Sequence, residues 1–188
     1  MTFSAVLLAG GESRRMGRDK ATIEFEGQPL WKRQLELLRS LDPEKLFVSA
    51  RARLGWLPDN VGLLLDDPPS RGPLSGLTKA LTAMRTTHLV ALAVDMPFIT
   101  AGELENLLEL ATEDRGVVPV VADRAEPLAA IYPATAAGDF QAALAGSDLS
   151  LQSIVRRLAA RDKIKLSRLA PRAANFYRSV NEPGDLRL

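Results

Sequence analysis

The chain has 188 residues, 46% of them hydrophobic and 25% charged, the proportions of a soluble globular chain, and a domain of this length buries about 70% of its unfolded surface without needing staples. It has no cysteine and one histidine, His88, which excludes a disulfide scaffold, thiolate zinc or iron–sulfur ligation, a cysteine nucleophile and a multi-histidine metal centre. Lys and Arg total 24 against 23 Asp and Glu, too even for a chain-wide nucleic-acid or membrane field. No apolar run approaches the ~18 residues of a membrane span. Met1-Thr2-Phe3-Ser4 leads directly into apolar sequence with no basic region ahead of it, so no signal peptide is expected. The expectation is one soluble, cytoplasmic domain over residues 1–188.

Short apolar runs alternate with longer amphipathic ones, the pattern of an α/β layer fold. Phe3 to Ala9 reads as a buried parallel strand running into Gly10-Gly11. A helix begins near Pro29, carries Trp31, Leu35, Leu38 and Leu41, and stops at Asp42-Pro43. Leu46–Val48 and Leu63–Leu65 are predicted strands, with an Arg-containing segment between them that no pattern assigns. Pro73 opens a helix bearing Leu74, Leu77, Leu81 and Met84. Leu89 to Val94 is the next buried strand and ends at Asp95-Met96-Pro97. Thr100 with Glu103 three residues on predicts a capping box. Val117–Val121 and Leu128–Tyr132 are strands whose short polar link predicts an antiparallel pair. Helices are expected over about 134–145 and 151–160, and a last strand over Phe176–Val180.

The densest chemistry lies in Leu8-Ala9-Gly10-Gly11-Glu12-Ser13-Arg14-Arg15-Met16-Gly17-Arg18-Asp19-Lys20. Glycines after a buried strand let backbone approach a ligand closely, and their amides can form an anion site. Four basic residues against two acidic ones add charge for a polyphosphate. A P-loop needs Gly-Lys before Ser or Thr, whereas Arg18-Asp19 follows Gly17; a dinucleotide fingerprint needs a third glycine where Arg14 stands. Neither loop fits. A plain turn with a solvated face is the alternative, and the position at the end of the first strand, where open α/β sheets bind ligands, argues against it.

Leu8-Ala9-Gly10-Gly11-x-Ser13-x-Arg15-Met16-Gly17-x-Asp19-Lys20 resembles the signature of the molybdenum cofactor guanylyltransferases of the nucleotidyltransferase superfamily. The resemblance runs on through Asp66, Arg71-Gly72-Pro73-Leu74-Ser75-Gly76, Val94-Asp95-Met96-Pro97-Phe98, Glu126-Pro127-Leu128-Ala129-Ala130-Ile131-Tyr132, Ser150-Leu151 and Val180-Asn181-Glu182-Pro183. It implies a Rossmann-like, three-layer α/β fold, with a mostly parallel sheet and one antiparallel strand. It also implies a reaction: transfer of GMP from GTP to the phosphate of Mo-molybdopterin, with Mg²⁺ and release of pyrophosphate. The substrate supplies the attacking oxygen, so no protein nucleophile is required. By resemblance, Arg15, Lys20 and Asp95 are catalytic, Asp95 holds the metal, and Leu8, Ala9, Gly10, Gly11, Lys20, Asp66 and Asp95 bind the nucleotide. Ser150 and Asn181 are assigned to the acceptor. Transient contact with the apoenzymes that accept the cofactor is a further implied partnership; nucleic acid and membrane are not expected.

Several residues keep two readings. Asp95 at a strand end suits Mg²⁺ and equally caps a turn. Asp66 can accept from the ring N–H and exocyclic amine of guanine, while adjacent Asp67 could be the ligand instead. Arg14 and Arg18 fall at variable positions of the motif and read as solvated charges. Ser49 stands where related enzymes often have Asn, and Ser179 and Glu182 replace family Asn and Thr. Arg156, Arg157, Arg161, Lys163, Lys165, Arg168 and Arg172 can attract an anion or form a solvated helix face beside a basic strand. His88 reads as structural, and Trp31 and Trp56 as core or as a pterin cover. Cytidylyl relatives usually have Ala-Ala-Gly where this chain has Leu8-Ala9-Gly10-Gly11, which favours GTP. The competing functions are a cytidylyl or other nucleotidyltransferase with a different phosphorylated acceptor, and a non-catalytic cofactor carrier.

Overall fold

Successive side chains of a strand point to opposite faces, and in β1 (Phe3–Leu8) both faces are apolar. Such a strand needs cover on two sides, which dictates a layered fold. In the computed structural model, which describes residues 1–10, 20–180 and 185, Ala5 and Leu7 pack into one apolar cluster and Val6 and Leu8 into a second. Helices α1 (Leu30–Ser40) and α3 (Ala101–Leu110) cover the first face, through Leu35, Leu38, Leu104 and Leu107. Helices α2 (Pro73–Ala83), α4 (Ala137–Ala145) and α5 (Leu151–Ala160) cover the second, through Leu77, Phe140 and Leu158. Among the described residues no helix is long and apolar enough to cross a membrane.

The sheet is built from β1, β4 (Lys45–Ala50), β5 (Gly62–Leu65), β6 (His88–Ala93), β7 (Gly116–Val121), β9 (Ala129–Pro133) and β10 (Ile164–Arg168), in the order β10-β7-β9-β6-β1-β4-β5. β1 runs parallel to β4 and β6, β4 to β5, and β10 to β7. β9 is antiparallel to both of its neighbours, β6 and β7, as the short link ahead of it predicted. That link is itself a hairpin. Ala122 and Asp123 take positive φ values of 45° and 65°, turning β8 (Arg124–Ala125) back onto β7; two such residues form the tight turn that matches strand twist. β8 is thus a second, short antiparallel strand beyond the one expected. A like turn at Glu26 and Gly27 joins β2 (Glu24–Phe25) to β3 (Gln28–Pro29).

Helix starts follow the sequence signals closely. α1 begins after Pro29, α2 has Pro73 in its first turn, and the Thr100 hydroxyl accepts from the Glu103 amide at 3.3 Å to cap α3. The expected strand at Phe176–Val180 is corrected. Residues Pro171–Tyr177 form a 3₁₀ helix, and the chain is extended only after it. The physical reason is where the segment meets the sheet: the Val180 amide donates to Asp95 C=O, just past β6, which β1 and β9 already pair on both sides, so the segment joins no ladder there. The unassigned 51–61 segment is a series of turns that carries Trp56 onto Trp31, the rings stacked at 4.8 Å and 15°. Both indoles pack on the α1 face of the core.

Buried polar groups are mostly satisfied locally. Asp139 in α4 accepts from Lys163 at 2.6 Å and from Arg161, which ties α4 to the turn between α5 and β10. His88 is fully buried, with Nδ1 3.0 Å from the Thr87 hydroxyl, and burial lowers its pKa. It belongs to the packing of the sheet's far end.

Candidate active site

Parallel strands β1, β4, β5 and β6 all end on the same edge of the sheet, the place where open α/β sheets bind ligands. There a cleft of about 510 Å³, counting its open mouth, is lined by Leu8, Ala9, Gly10, Lys20, Ser49, Asp66, Gly72, Pro73, Asp95 and neighbouring backbone. The chain leaving β1 is strung between its two neighbours: the Ala9 amide donates to Ser49 C=O at 2.9 Å, and the Val94 amide donates to Leu8 C=O at 3.1 Å. Continuing the ladder past the strands sets the cleft floor at a fixed height. Ala93 in turn donates to Leu128 C=O at 2.8 Å, which brings Leu128 into the wall.

Asp66 and Asp67 diverge. The Asp66 carboxylate lines the cleft, where it accepts from Ser70 Oγ at 2.6 Å and Ser49 Oγ at 3.5 Å. Its own amide donates to Ala50 C=O at 2.9 Å, extending β5's side of the sheet by one residue. Asp67 turns outward to Lys79 of α2 at 2.8 Å and lines a separate groove behind the loop. Ser49, which stands where related enzymes often have Asn, thus reaches the Asp66 carboxylate. Gly72 has φ 67°, a backbone that glycine adopts without strain. This lets the loop drop straight into α2, whose first turn faces the cleft through Pro73.

Across the cleft, Asp95 follows β6 and its carboxylate meets Lys20 Nζ at 3.2 Å. The side chains are 24% and 16% exposed, so solvent screens the pair only partly. Lys20 also donates to Val180 C=O at 3.3 Å, and the Val180 amide donates to Asp95 C=O at 2.7 Å. The carboxylate thus reaches across to Lys20 and, among the described residues, makes no hydrogen bond to the turn that follows it; α3 is capped by Thr100. A cation and a carboxylate from positions far apart in sequence stand at one mouth, with a second carboxylate facing them.

Of the residues the sequence singled out, Leu8, Ala9, Gly10, Lys20, Asp66 and Asp95 are brought together around this cleft. Gly11 and Arg15, with Arg14 and Arg18, lie outside the described residues, as do Asn181 and Glu182. Ser150 is elsewhere: it caps α5, accepting from the Ser153 amide at 3.4 Å, and is not among the residues that line the cleft. The basic stretch is largely neutralised where it stands. Arg157 pairs with Asp148, Arg161 and Lys163 with Asp139, and Arg168 with Asp123, which favours a solvated face beside the basic edge strand β10. Two contributors had no sequence signal. Val180 acts through its backbone alone, and Ser70 is one serine among many until the loop folds it onto Asp66.

Comparisons with known proteins identify the family. A family model described as the MobA-like NTP transferase domain matches residues 5–163. A protein of Opitutus terrae named "Probable molybdenum cofactor guanylyltransferase" is 36% identical over 97% of this chain and 92% of its own length. A "Molybdenum cofactor guanylyltransferase" of Pseudomonas fluorescens is 32% identical over 82% of this chain and 80% of its own. In fold, the chain is similar to molybdopterin-guanine dinucleotide biosynthesis protein A of Archaeoglobus fulgidus, with a TM-score of 0.76 at 21% identity over 98% of this chain and 95% of that one. On the family match and on relatives at this identity and coverage, the chain belongs to the MobA-like NTP transferases.

Proposed function

We propose that this chain transfers GMP from GTP to the phosphate of Mo-molybdopterin, forming the guanine dinucleotide of the cofactor and releasing pyrophosphate. The observation that carries the reading is the convergence of Asp66, Lys20 and Asp95 on one cleft at the strand ends, in a chain whose relatives bear the guanylyltransferase name along nearly their full length. An oxygen of the acceptor's phosphate attacks the α-phosphorus of GTP, the bond from that phosphorus to the β-phosphate oxygen breaks, and pyrophosphate leaves with the bonding pair. The protein's share is positioning and charge compensation at an in-line phosphorus centre.

In this reading Asp66 accepts from the ring N–H and the exocyclic amine of guanine, its carboxylate aimed by Ser70 and Ser49. The Ala9 amide is already given to Ser49, so the Gly10 amide is the backbone donor for the guanine carbonyl. Lys20, with Arg15, balances charge on the triphosphate and on the departing pyrophosphate. Asp95 suits Mg²⁺: no group of three or more acidic or histidine ligands occurs among the described residues, and one carboxylate plus substrate phosphates is how Mg²⁺ is commonly held. When bound there, Mg²⁺ would supply positive charge to offset that of the phosphates.

Pyrophosphate release in the presence of GTP, Mg²⁺ and Mo-molybdopterin tests the reading. The wild type is expected to turn over, and Asp95→Ala to abolish turnover while still binding GTP. Binding of nucleotide with no pyrophosphate formed would identify a carrier in place of an enzyme.

A further inference from the structure

The chain from Tyr177 to Val180 is pinned at both ends. Tyr177 is buried and its hydroxyl donates to Glu103 of α3 at 3.4 Å; burial and the charge of Glu103 push its pKa well up, so the donor stays protonated. Val180 is held to Asp95 and Lys20 by its two backbone groups. Between these anchors Arg178 is exposed and extended, with φ −72° and ψ 128°. Its guanidinium lies over the ring of Phe98, with Cζ 4.3 Å from the centroid. Phe98 is itself seated edge-on against buried Phe25 at 5.3 Å and 84°, so the platform is fixed by the core.

A second arginine in the same stack behaves differently. Arg33 lies over Phe25 at 5.2 Å, but it donates to Pro97 C=O at 3.1 Å and pairs with Glu26 at 3.0 Å. Arg178 has no ion pair among the described residues. Its charge is held over Phe98, next to the loop that carries Asp95, with no carboxylate among the described residues matched to it there.

We propose that Arg178 binds the phosphate of the acceptor, a phosphomonoester. This rests on the reading that the chain transfers a nucleotidyl group to a phosphorylated acceptor. A guanidinium held over an aromatic ring still carries its fork of N–H donors, and such a fork can grip a phosphate with two parallel hydrogen bonds. Val180 lies two residues away, roughly 7 Å along an extended chain, and touches both Lys20 and Asp95. Phe98 lies three residues past Asp95. An attacking phosphate and a triphosphate repel each other, so each needs its own cation. Lys20 serves the donor, and Arg178 is the cation placed for the acceptor.

The alternative is that Arg178 only shields Phe98 from water. Arg178→Met keeps an apolar cover over the ring and removes the charge, whereas Arg178→Lys keeps the charge and loses the fork. With GTP saturating and Mo-molybdopterin varied, Arg178→Met is expected to raise the acceptor KM at least about ten-fold, the cost of a lost charge-assisted hydrogen bond. Its kcat should stay within about three-fold, and its thermal stabilisation by GTP with Mg²⁺ should match the wild type. Arg178→Lys should fall between the two. A wild-type acceptor KM in Arg178→Met would overturn the assignment while leaving the guanylyltransferase reading intact, and so would a loss of fold or of GTP stabilisation in that variant. A wild type that transfers nothing to Mo-molybdopterin would remove the guanylyltransferase reading and this inference with it.

Discussion

At the cleft mouth Lys20 meets the Asp95 carboxylate at 3.2 Å and the Val180 carbonyl at 3.3 Å. Either contact alone would fit a lysine that merely closes the fold. A transfer role makes a stronger claim, because removing an electrostatic stabiliser from a phosphorus or carbonyl centre costs about 10²–10³-fold in kcat. A partly exposed ion pair contributes only about 1 kcal/mol or less to stability. Lys20→Met, which keeps the aliphatic stem, is therefore expected to lose about 10²-fold in pyrophosphate release with a small change in melting temperature. A large fall in stability with near-wild-type turnover would instead make Lys20 a structural residue. Since Lys20 and Asp95 touch, their substitutions should combine non-additively.

At the scale of elements, the site depends on how closely α2 approaches the sheet. A Cβ at Gly76 would lie 2.3 Å from Ser49 Oγ and 2.9 Å from Leu8 Cδ2, and both of those residues line the cleft. Alanine in a helix gains about 1 kcal/mol over glycine, while forcing an extra carbon into a packed interior costs about 1–3 kcal/mol. The clash involves a short serine and a buried leucine, neither able to swing far, so the cost outweighs the gain. Gly76→Ala is expected to lower the melting temperature, weaken GTP binding through displaced Ser49 and Asp66, and regain part of both losses when combined with Ser49→Ala. Wild-type GTP affinity in Gly76→Ala would disconnect this packing from the site.

For the molecule as a whole, legibility in the sequence tracked locality. Strands and helices whose cause is local were readable: the apolar run of β1, Pro73 at the start of α2, and Thr100 capping α3 each carry their own signal. The short link before β9 betrayed its antiparallel direction because length alone forbids a crossover. What depended on distant partners was not readable. Residues 176–180 look strand-like, but only the finished sheet shows that β6 has no edge left to offer. Asp66 and Asp67 are equivalent in sequence until Lys79 takes one and Ser70 the other. Asp95 and Lys20 could be named, whereas the backbone of Val180 that joins them could not.

The same integration makes nucleotide binding a property of the whole chain. The cleft draws on β1, β4, β5, α2, β6 and the C-terminal segment together, so a ligand there ties elements that unfolding must separate. A ligand present at 100 times its dissociation constant adds about 2.7 kcal/mol, and a chain of this size shifts by roughly 2–4 °C per kcal/mol. GTP with Mg²⁺ is therefore expected to raise the melting temperature by about 5–10 °C. ATP, CTP and UTP at the same concentration should do markedly less, because Asp66 is matched to the two donors on the guanine edge. Cytosine offers an exocyclic amine and no adjacent ring N–H, so one carboxylate oxygen would go unmatched. Asp66→Asn should erase most of the difference between GTP and the others. A preference for CTP would move the donor assignment to cytidylyl transfer, and no response to any of the four would leave the cleft without a nucleotide role.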